Sequence, residues 1–166
     1  SAAMKVTQYS EGCGALISDI QLADLGDTQL EELRTVFTQH GLLFFRDQDF
    51  SPQDHLQFAQ RFGSIVVNKF FKATEQFPKI AEVRKDKNQQ TNIGGGWHTD
   101  HSYDDIPAMG SILVARKLPE TGGDTQFANL ANAYDALSPK FKSRIENLRA
   151  VHSNKHLYGE NGLYRM

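Results

Sequence analysis

Trp97-His98-Thr99-Asp100 is the stretch in which residue type and spacing converge on chemistry. In an extended chain, residues two apart point to the same side, so His98 and Asp100 can direct an imidazole nitrogen and a carboxylate at one point while Thr99 turns away. One nitrogen donor and one anionic oxygen donor are two corners of the 2-His-1-carboxylate arrangement, which holds iron(II) and leaves positions open for a chelating cosubstrate and oxygen. A bare His-x-Asp is a cheap motif, more often a surface salt bridge than a metal site, so its weight comes from its neighbours. Gly94-Gly95-Gly96 lets backbone approach a bulky ligand, Trp97 and Tyr103 offer aromatic walls, and His101 adds a donor. Farther on, Leu118-Pro119-Glu120-Thr121-Gly122-Gly123-Asp124-Thr125 is a turn-forming run that delivers the Thr125 hydroxyl, a partner for a carboxylate, to the start of a strand.

The elements that must position these residues fall into two styles. A helix is expected over 28–40, with Thr28 and Glu31 spaced as a capping box, Leu30, Leu33 and Phe37 as its apolar face, and Gly41 as its stop. A second opens with Ser51 as N-cap and Pro52 at the first helical position, buries Leu56, Ala59 and Phe62, and ends at Gly63. Residues 42–45 read as a short buried strand, and Phe44, Phe45, Phe58 and Phe62 as core. Beyond Gly63, short apolar stretches suggest strands over 65–68, 80–84, 111–116 and 125–128, with a mobile loop over 85–96. Helices over 129–137 and 138–148 follow, and 150–152 is a candidate closing strand. The whole reads as one α+β domain built around an antiparallel β-sandwich.

Bulk properties narrow the class. A chain of 166 residues fits a single domain. Eighteen Lys plus Arg against 20 Asp plus Glu give a net charge of -2 with no long run of either sign, which speaks against a nucleic-acid face or a polybasic membrane patch. No apolar run approaches the roughly 20 residues that span a bilayer, and no signal peptide is legible. The single cysteine, Cys13, has no partner that would make it reactive and fits a reducing, cytoplasmic setting. Small molecules are the expected partners, and homo-oligomerisation is left open. Ser1-Ala2-Ala3 before Met4 reads as a cloning remnant, and the tail after Leu157 stops without a closing element, as though a longer chain continued. His40 and His55 sit at helix positions where exposure explains them.

Several motifs in order are specific where each alone is not. Gly41-Leu42-Leu43-Phe44-Phe45-Arg46-Asp47-Gln48, Gln60-Arg61-Phe62-Gly63, Trp97-His98-Thr99-Asp100, the run from Leu118 to Thr125, and Ala133-Tyr134-Asp135-Ala136-Leu137-Ser138 together resemble the taurine dioxygenase (TauD/TfdA-like) family of Fe(II)/2-oxoglutarate-dependent dioxygenases. The resemblance implies a double-stranded β-helix, or jelly roll, with flanking helices. It also implies Fe(II) and 2-oxoglutarate as cofactor and cosubstrate, O2 as co-reactant, His98 and Asp100 as iron ligands, and Thr125 touching 2-oxoglutarate. The family's third ligand, a histidine, and its 2-oxoglutarate-binding arginine lie downstream of the matched segment, outside this chain; His152 and His156 match a region upstream of that histidine. Taurine-oxidising members use a histidine, a tyrosine and an asparagine around the sulfonate, and by register these positions are Asn68, Phe71 and Gly94 here. All three differ, so the resemblance implies a small substrate other than taurine, hydroxylated at a C–H bond, with His101, Tyr103, His156 and Tyr158 as further pocket candidates and Lys69 or Lys72 as attractors should that substrate be anionic. A non-catalytic jelly-roll protein that keeps the pocket for binding or sensing is the rival reading, and a zinc hydrolase on the same ligands a third.

Overall fold

The computed structural model describes residues 3–68, 71–92, 94–158 and 164–165, with side chains from 157 onward outside the description. The chain divides into two units, Ser1–Ser64 with Leu113–Lys142, and Ile65–Ile112 with Ser143–Met166.

In the first unit, β1 (Lys5–Ser10) and β2 (Cys13–Ser18) form an antiparallel hairpin in which Ser10 faces Cys13. That register leaves Glu11-Gly12 as a two-residue loop, and Gly12 takes φ +79°, which such tight hairpin loops demand and glycine accepts without strain. The hairpin is not among the expected elements, although this loop was its signal. β3 (Leu43–Phe45) adds to β2 in parallel, pairing Ala15 with Leu43 and Ile17 with Phe45, and bears out the strand expected over 42–45. Between them run a 3-10 turn (Leu22–Asp24) and α1 (Asp27–His40). Ala15, Ile17, Ile20, Leu22, Leu25, Leu30, Leu33, Phe50 and Phe58 are buried and form the core.

The helix ends show which local signals were read correctly. α1 starts at Asp27, with Gly26 as N-cap and its N–H donating to Gln29 Oε1 at 3.3 Å, so the cap expected at Thr28/Glu31 is corrected to Gly26/Gln29. Gly41 ends it at φ +70°, its N–H donating to the Phe37 carbonyl at 2.7 Å. α2 (Pro52–Phe62) opens as expected: the Asp54 N–H donates to Ser51 Oγ at 3.1 Å, and Asp54 Oδ2 accepts from the Ser51 N–H at 3.0 Å. The Ser51 backbone N–H, then its hydroxyl, hold the Asp54 carboxyl below the ordinary aspartate range. The cap is therefore at full strength above that range and is lost as pH falls through the lowered value. Phe58 is the buried residue of α2, while Leu56, Ala59 and Phe62 are half-buried, as are Phe44, Phe45, His40 and His55; the two histidines are thus less exposed than expected.

Two of the sequence motifs turn out to be scaffolding. Gln48 accepts from the Leu22 N–H at 2.8 Å and donates to the Ile20 carbonyl at 3.0 Å, while Gln21 donates to the Asp47 carbonyl at 3.0 Å and accepts from the Asp49 N–H at 3.0 Å. This reciprocal clasp holds the segment after β2 against the segment after β3. Arg61 donates to the Leu25 carbonyl and to Asp27 Oδ1 at 2.9 Å, and its own carbonyl accepts from Arg34, whose guanidinium lies over Phe62. Arg61→Ala is expected to lower unfolding free energy by about 1–3 kcal/mol, because it orphans a part-buried carbonyl, and Arg61→Lys to recover little of it, because an ammonium lacks the planar fork; urea unfolding measures both.

α3 (Leu130–Asp135) and α4 (Pro139–Ile145) bear out the two helical regions expected after residue 129, in shortened form. Asn129 caps α3, accepting from the Ala131 and Asn132 N–H groups, and Asn129 and Asn132 both donate to the Gly12 carbonyl of the hairpin, at 3.2 and 2.7 Å. The expected strands over 65–68, 80–84, 111–116 and 125–128 are corrected: the described residues there form no ladder, apart from one bridge between Ala73 and Ala81. Period and composition can mark a segment as extended, but a strand exists only where a partner supplies the other half of each hydrogen bond. In the second unit, β4 (His152–Ser153) pairs with β5 (Tyr164–Arg165), and α5 (Lys155–Tyr158) lies between them. Among the described residues, no helix is long and apolar enough to cross a membrane.

Candidate metal centre

The segment before the His-x-Asp pair is shaped to receive an imidazole. Gly94 has φ +73°, and a Cβ built there would fall 2.9 Å from His98 Cε1, so the ring packs directly against bare backbone. His98 Nδ1 lies 2.7 Å from the Gly96 carbonyl oxygen. A carbonyl only accepts, so Nδ1 carries a proton, and in the neutral ring Nε2 then holds the lone pair. That lone pair lies 3.2 Å from Asp100 Oδ1.

Two electron-pair donors at this separation repel unless a proton or a cation sits between them. As an ion pair they would contribute little, since the two side chains are 53% and 71% exposed. As cis ligands of one metal they are well spaced: bonds of about 2.1 Å at a right angle set their ends roughly 3.0 Å apart. A histidine that donates its other N–H to a backbone carbonyl is also the usual way a metal-binding imidazole is oriented. The donor set, one imidazole nitrogen and one carboxylate, fits iron(II). Among the described residues no group of three or more His, Cys, Asp or Glu side chains is placed to hold a metal, and this includes His152 and His156.

The same unit also brings several of the expected pocket residues together. His101, at φ +48°, has Nδ1 3.3 Å from Asp104 Oδ2 and Nε2 3.4 Å from Asn68 Nδ2. Asn68 Oδ1 accepts from the Phe71 N–H at 3.1 Å. Tyr103 is buried, its ring centroid 5.4 Å from that of His101, whereas Trp97 is exposed. Asp104, which the sequence reading did not single out, closes the turn through its N–H to the His101 carbonyl at 3.0 Å; its three-residue spacing from His101 was the available signal. Thr125 belongs to the first unit, in exposed extended chain after Gly122 and Gly123, whose φ of +79° and +75° fit the expected turn. Lys72 is exposed; Lys69 and the side chain of Tyr158 lie outside the described residues. Two open concavities in the first unit, one beside Asp19 and Arg46 and the other beside Cys13 and His40, include no candidate-site residue.

The model of the family described as taurine catabolism dioxygenase TauD, TfdA family matches residues 5–164. The chain belongs to this family. Among curated relatives, this TauD/TfdA-family chain is 31% identical over 92% of its length to an (S)-phenoxypropionate/alpha-ketoglutarate-dioxygenase of Sphingobium herbicidovorans, covering 54% of that protein. It is 36% identical over 88% of its length to an alkylsulfatase of Acinetobacter baylyi, covering 46% of it. Among solved structures it superposes on AAD-2 in complex with Mn(II) and N-oxalylglycine with a TM-score of 0.69 and 27% identity, over 95% of this chain and 55% of that one. The chain thus spans about half the length of the relatives it matches.

Proposed function

We propose that the protein carrying this chain is an Fe(II)- and 2-oxoglutarate-dependent dioxygenase that hydroxylates a C–H bond of a small substrate other than taurine. The observation that carries the reading is the placement of His98, whose Nδ1 lies 2.7 Å from the Gly96 carbonyl and whose Nε2 lies 3.2 Å from Asp100 Oδ1. Family membership supports it, as does the Mn(II) and N-oxalylglycine of a structural neighbour, an oxalyl group being a chelator of the same kind as the 2-oxo acid of 2-oxoglutarate. In this reading His98 and Asp100 hold the iron, with a third ligand from outside the described residues. Iron with 2-oxoglutarate supplies the oxidising power for C–H cleavage, with succinate and CO2 as coproducts. The fold is the N-terminal part of a jelly roll with flanking helices, and the setting is cytoplasmic.

The chain's own residues bind and orient. His98 is aimed by the Gly96 carbonyl, and Gly94 leaves room for the ring. The Thr125 hydroxyl donates to a carboxylate of 2-oxoglutarate, while Asn68, Phe71, His101, Tyr103 and Tyr158 surround the substrate. Thr125→Val is expected to weaken 2-oxoglutarate binding by about tenfold, the loss of one hydrogen bond to a charged group, with Thr125→Ser close to wild type; titration of the cosubstrate under anaerobic conditions measures it. The reading as a whole is tested by adding Fe(II) and 2-oxoglutarate without oxygen. A weak visible charge-transfer band is expected, followed by succinate once oxygen is admitted, and the lack of both would remove the oxygenase reading.

A further inference from the structure

We propose that His101 and Asp104 are positioning residues: a directed chain of hydrogen bonds runs from the Phe71 amide through Asn68 and His101 to Asp104 and ties the 68–71 segment to the turn that carries Asp100. Its direction follows from a group whose role is fixed. The Phe71 N–H can only donate, so the Asn68 atom 3.1 Å away is its carbonyl oxygen, and the amide nitrogen must face His101. That nitrogen is a donor, so His101 Nε2, 3.4 Å away, accepts. The ring's proton then lies on Nδ1, which faces Asp104 Oδ2 at 3.3 Å, an acceptor. Every group in the chain has the complementary role to its neighbour.

Both imidazole contacts are near the long end of hydrogen-bond distances, so their value is in direction more than strength. The backbone adds to it. Asp104 closes on His101 twice, once through its carboxylate and once through its N–H to the His101 carbonyl at 3.0 Å. His101 sits at φ +48°, a left-handed conformation that a side-chain-bearing residue keeps only where its surroundings hold it. The same logic separates the two histidines of the turn. The Nε2 lone pair of His98 faces another electron-pair donor, Asp100, and calls for a cation, whereas that of His101 is already taken by the Asn68 amide. His101 is therefore not the third metal donor, and it acts through Asn68 and the turn. The consequence for catalysis rests on the metal-site reading above; the hydrogen-bond direction does not.

The test reads the His101 tautomer by imidazole 15N and 13C chemical shifts in the metal-free protein. The proton is expected on Nδ1. Asp104→Asn, whose Oδ1 still accepts, should keep it there, while Asn68→Asp, which offers an acceptor where the native residue donates, should place a proton on Nε2. Asp104→Leu should raise exchange of the Phe71 amide about tenfold by freeing the segment it anchors. A native His101 already protonated on Nε2, or a tautomer indifferent to Asn68→Asp, would overturn the proposal. Because no metal or cosubstrate is involved, an absent charge-transfer band would remove the metal-site reading and leave this one standing, and the reverse outcome would do the opposite.

Discussion

Asp100→Ala is expected to eliminate the Fe(II)/2-oxoglutarate band and succinate formation while leaving the fold intact. Both halves of this outcome follow from the geometry. The Asp100 side chain is 71% exposed and pairs with His98, so its removal should change unfolding free energy by no more than about 0.5 kcal/mol. The same change takes one anionic donor from a site that has two donors among the described residues. Loss of a supporting group beside a metal ligand already costs 10–100-fold in affinity, and loss of the ligand itself should cost about a hundredfold or more. His98 keeps its orientation through the Gly96 carbonyl, so a defect in the variant reports the missing carboxylate and not a displaced imidazole. Iron affinity, band intensity and circular dichroism together measure it. A variant with native metal affinity would show that Asp100 only salt-bridges His98.

Gly94→Ala is the second large effect, reached by a different route. Two penalties coincide at this residue. Its φ of +73° costs an alanine roughly 1–2 kcal/mol, and the new methyl group would stand 2.9 Å from His98 Cε1, closer than packed carbons come. The imidazole must swing away or the loop must shift. A displacement on the order of 1 Å at a reacting centre can cost about 10²-fold in rate. Two controls separate the penalties. Gly122, at φ +79° with nothing within 4 Å of a built Cβ, should show only the backbone strain, as a small loss of stability. Gly96→Ala, with open space around its Cβ and its carbonyl retained, should leave metal binding near native. If Gly94→Ala matches Gly96→Ala in iron affinity, the close approach to His98 has no functional weight. Any side chain at position 94, asparagine included, would meet His98 in the same way.

What the sequence made legible is what is local. Ser51-Pro52, Gly41 and the glycine pair in the Leu118–Thr125 run act within one turn of chain, and each appears where it was expected. His98 and Asp100 are two residues apart, so their convergence needed only an extended backbone and nothing from the rest of the molecule. The α1 cap was misread because Thr28/Glu31 and Gly26/Gln29 offer competing starts, and local pattern does not choose between neighbouring registers.

Tertiary structure decided whatever depends on a distant partner. The segments expected as strands over 65–68, 80–84, 111–116 and 125–128 form no ladder, because a strand is defined by hydrogen bonds to another segment, which no window of sequence contains. Gln48 and Arg61 read as parts of motifs, yet their roles are set by carbonyls 28 and 36 residues away. Asn68 and His101, 33 residues apart, meet only in the folded chain, so the sequence could name both as pocket candidates but not the order of donors and acceptors between them. By itself, then, the sequence determined which side chains are candidates for the chemistry, since ligand type and spacing are local properties. The fold alone decided how Asn68 and His101 are turned toward each other, since that orientation depends on partners brought from elsewhere in the chain, whereas His98 takes its direction from Gly96 two residues away.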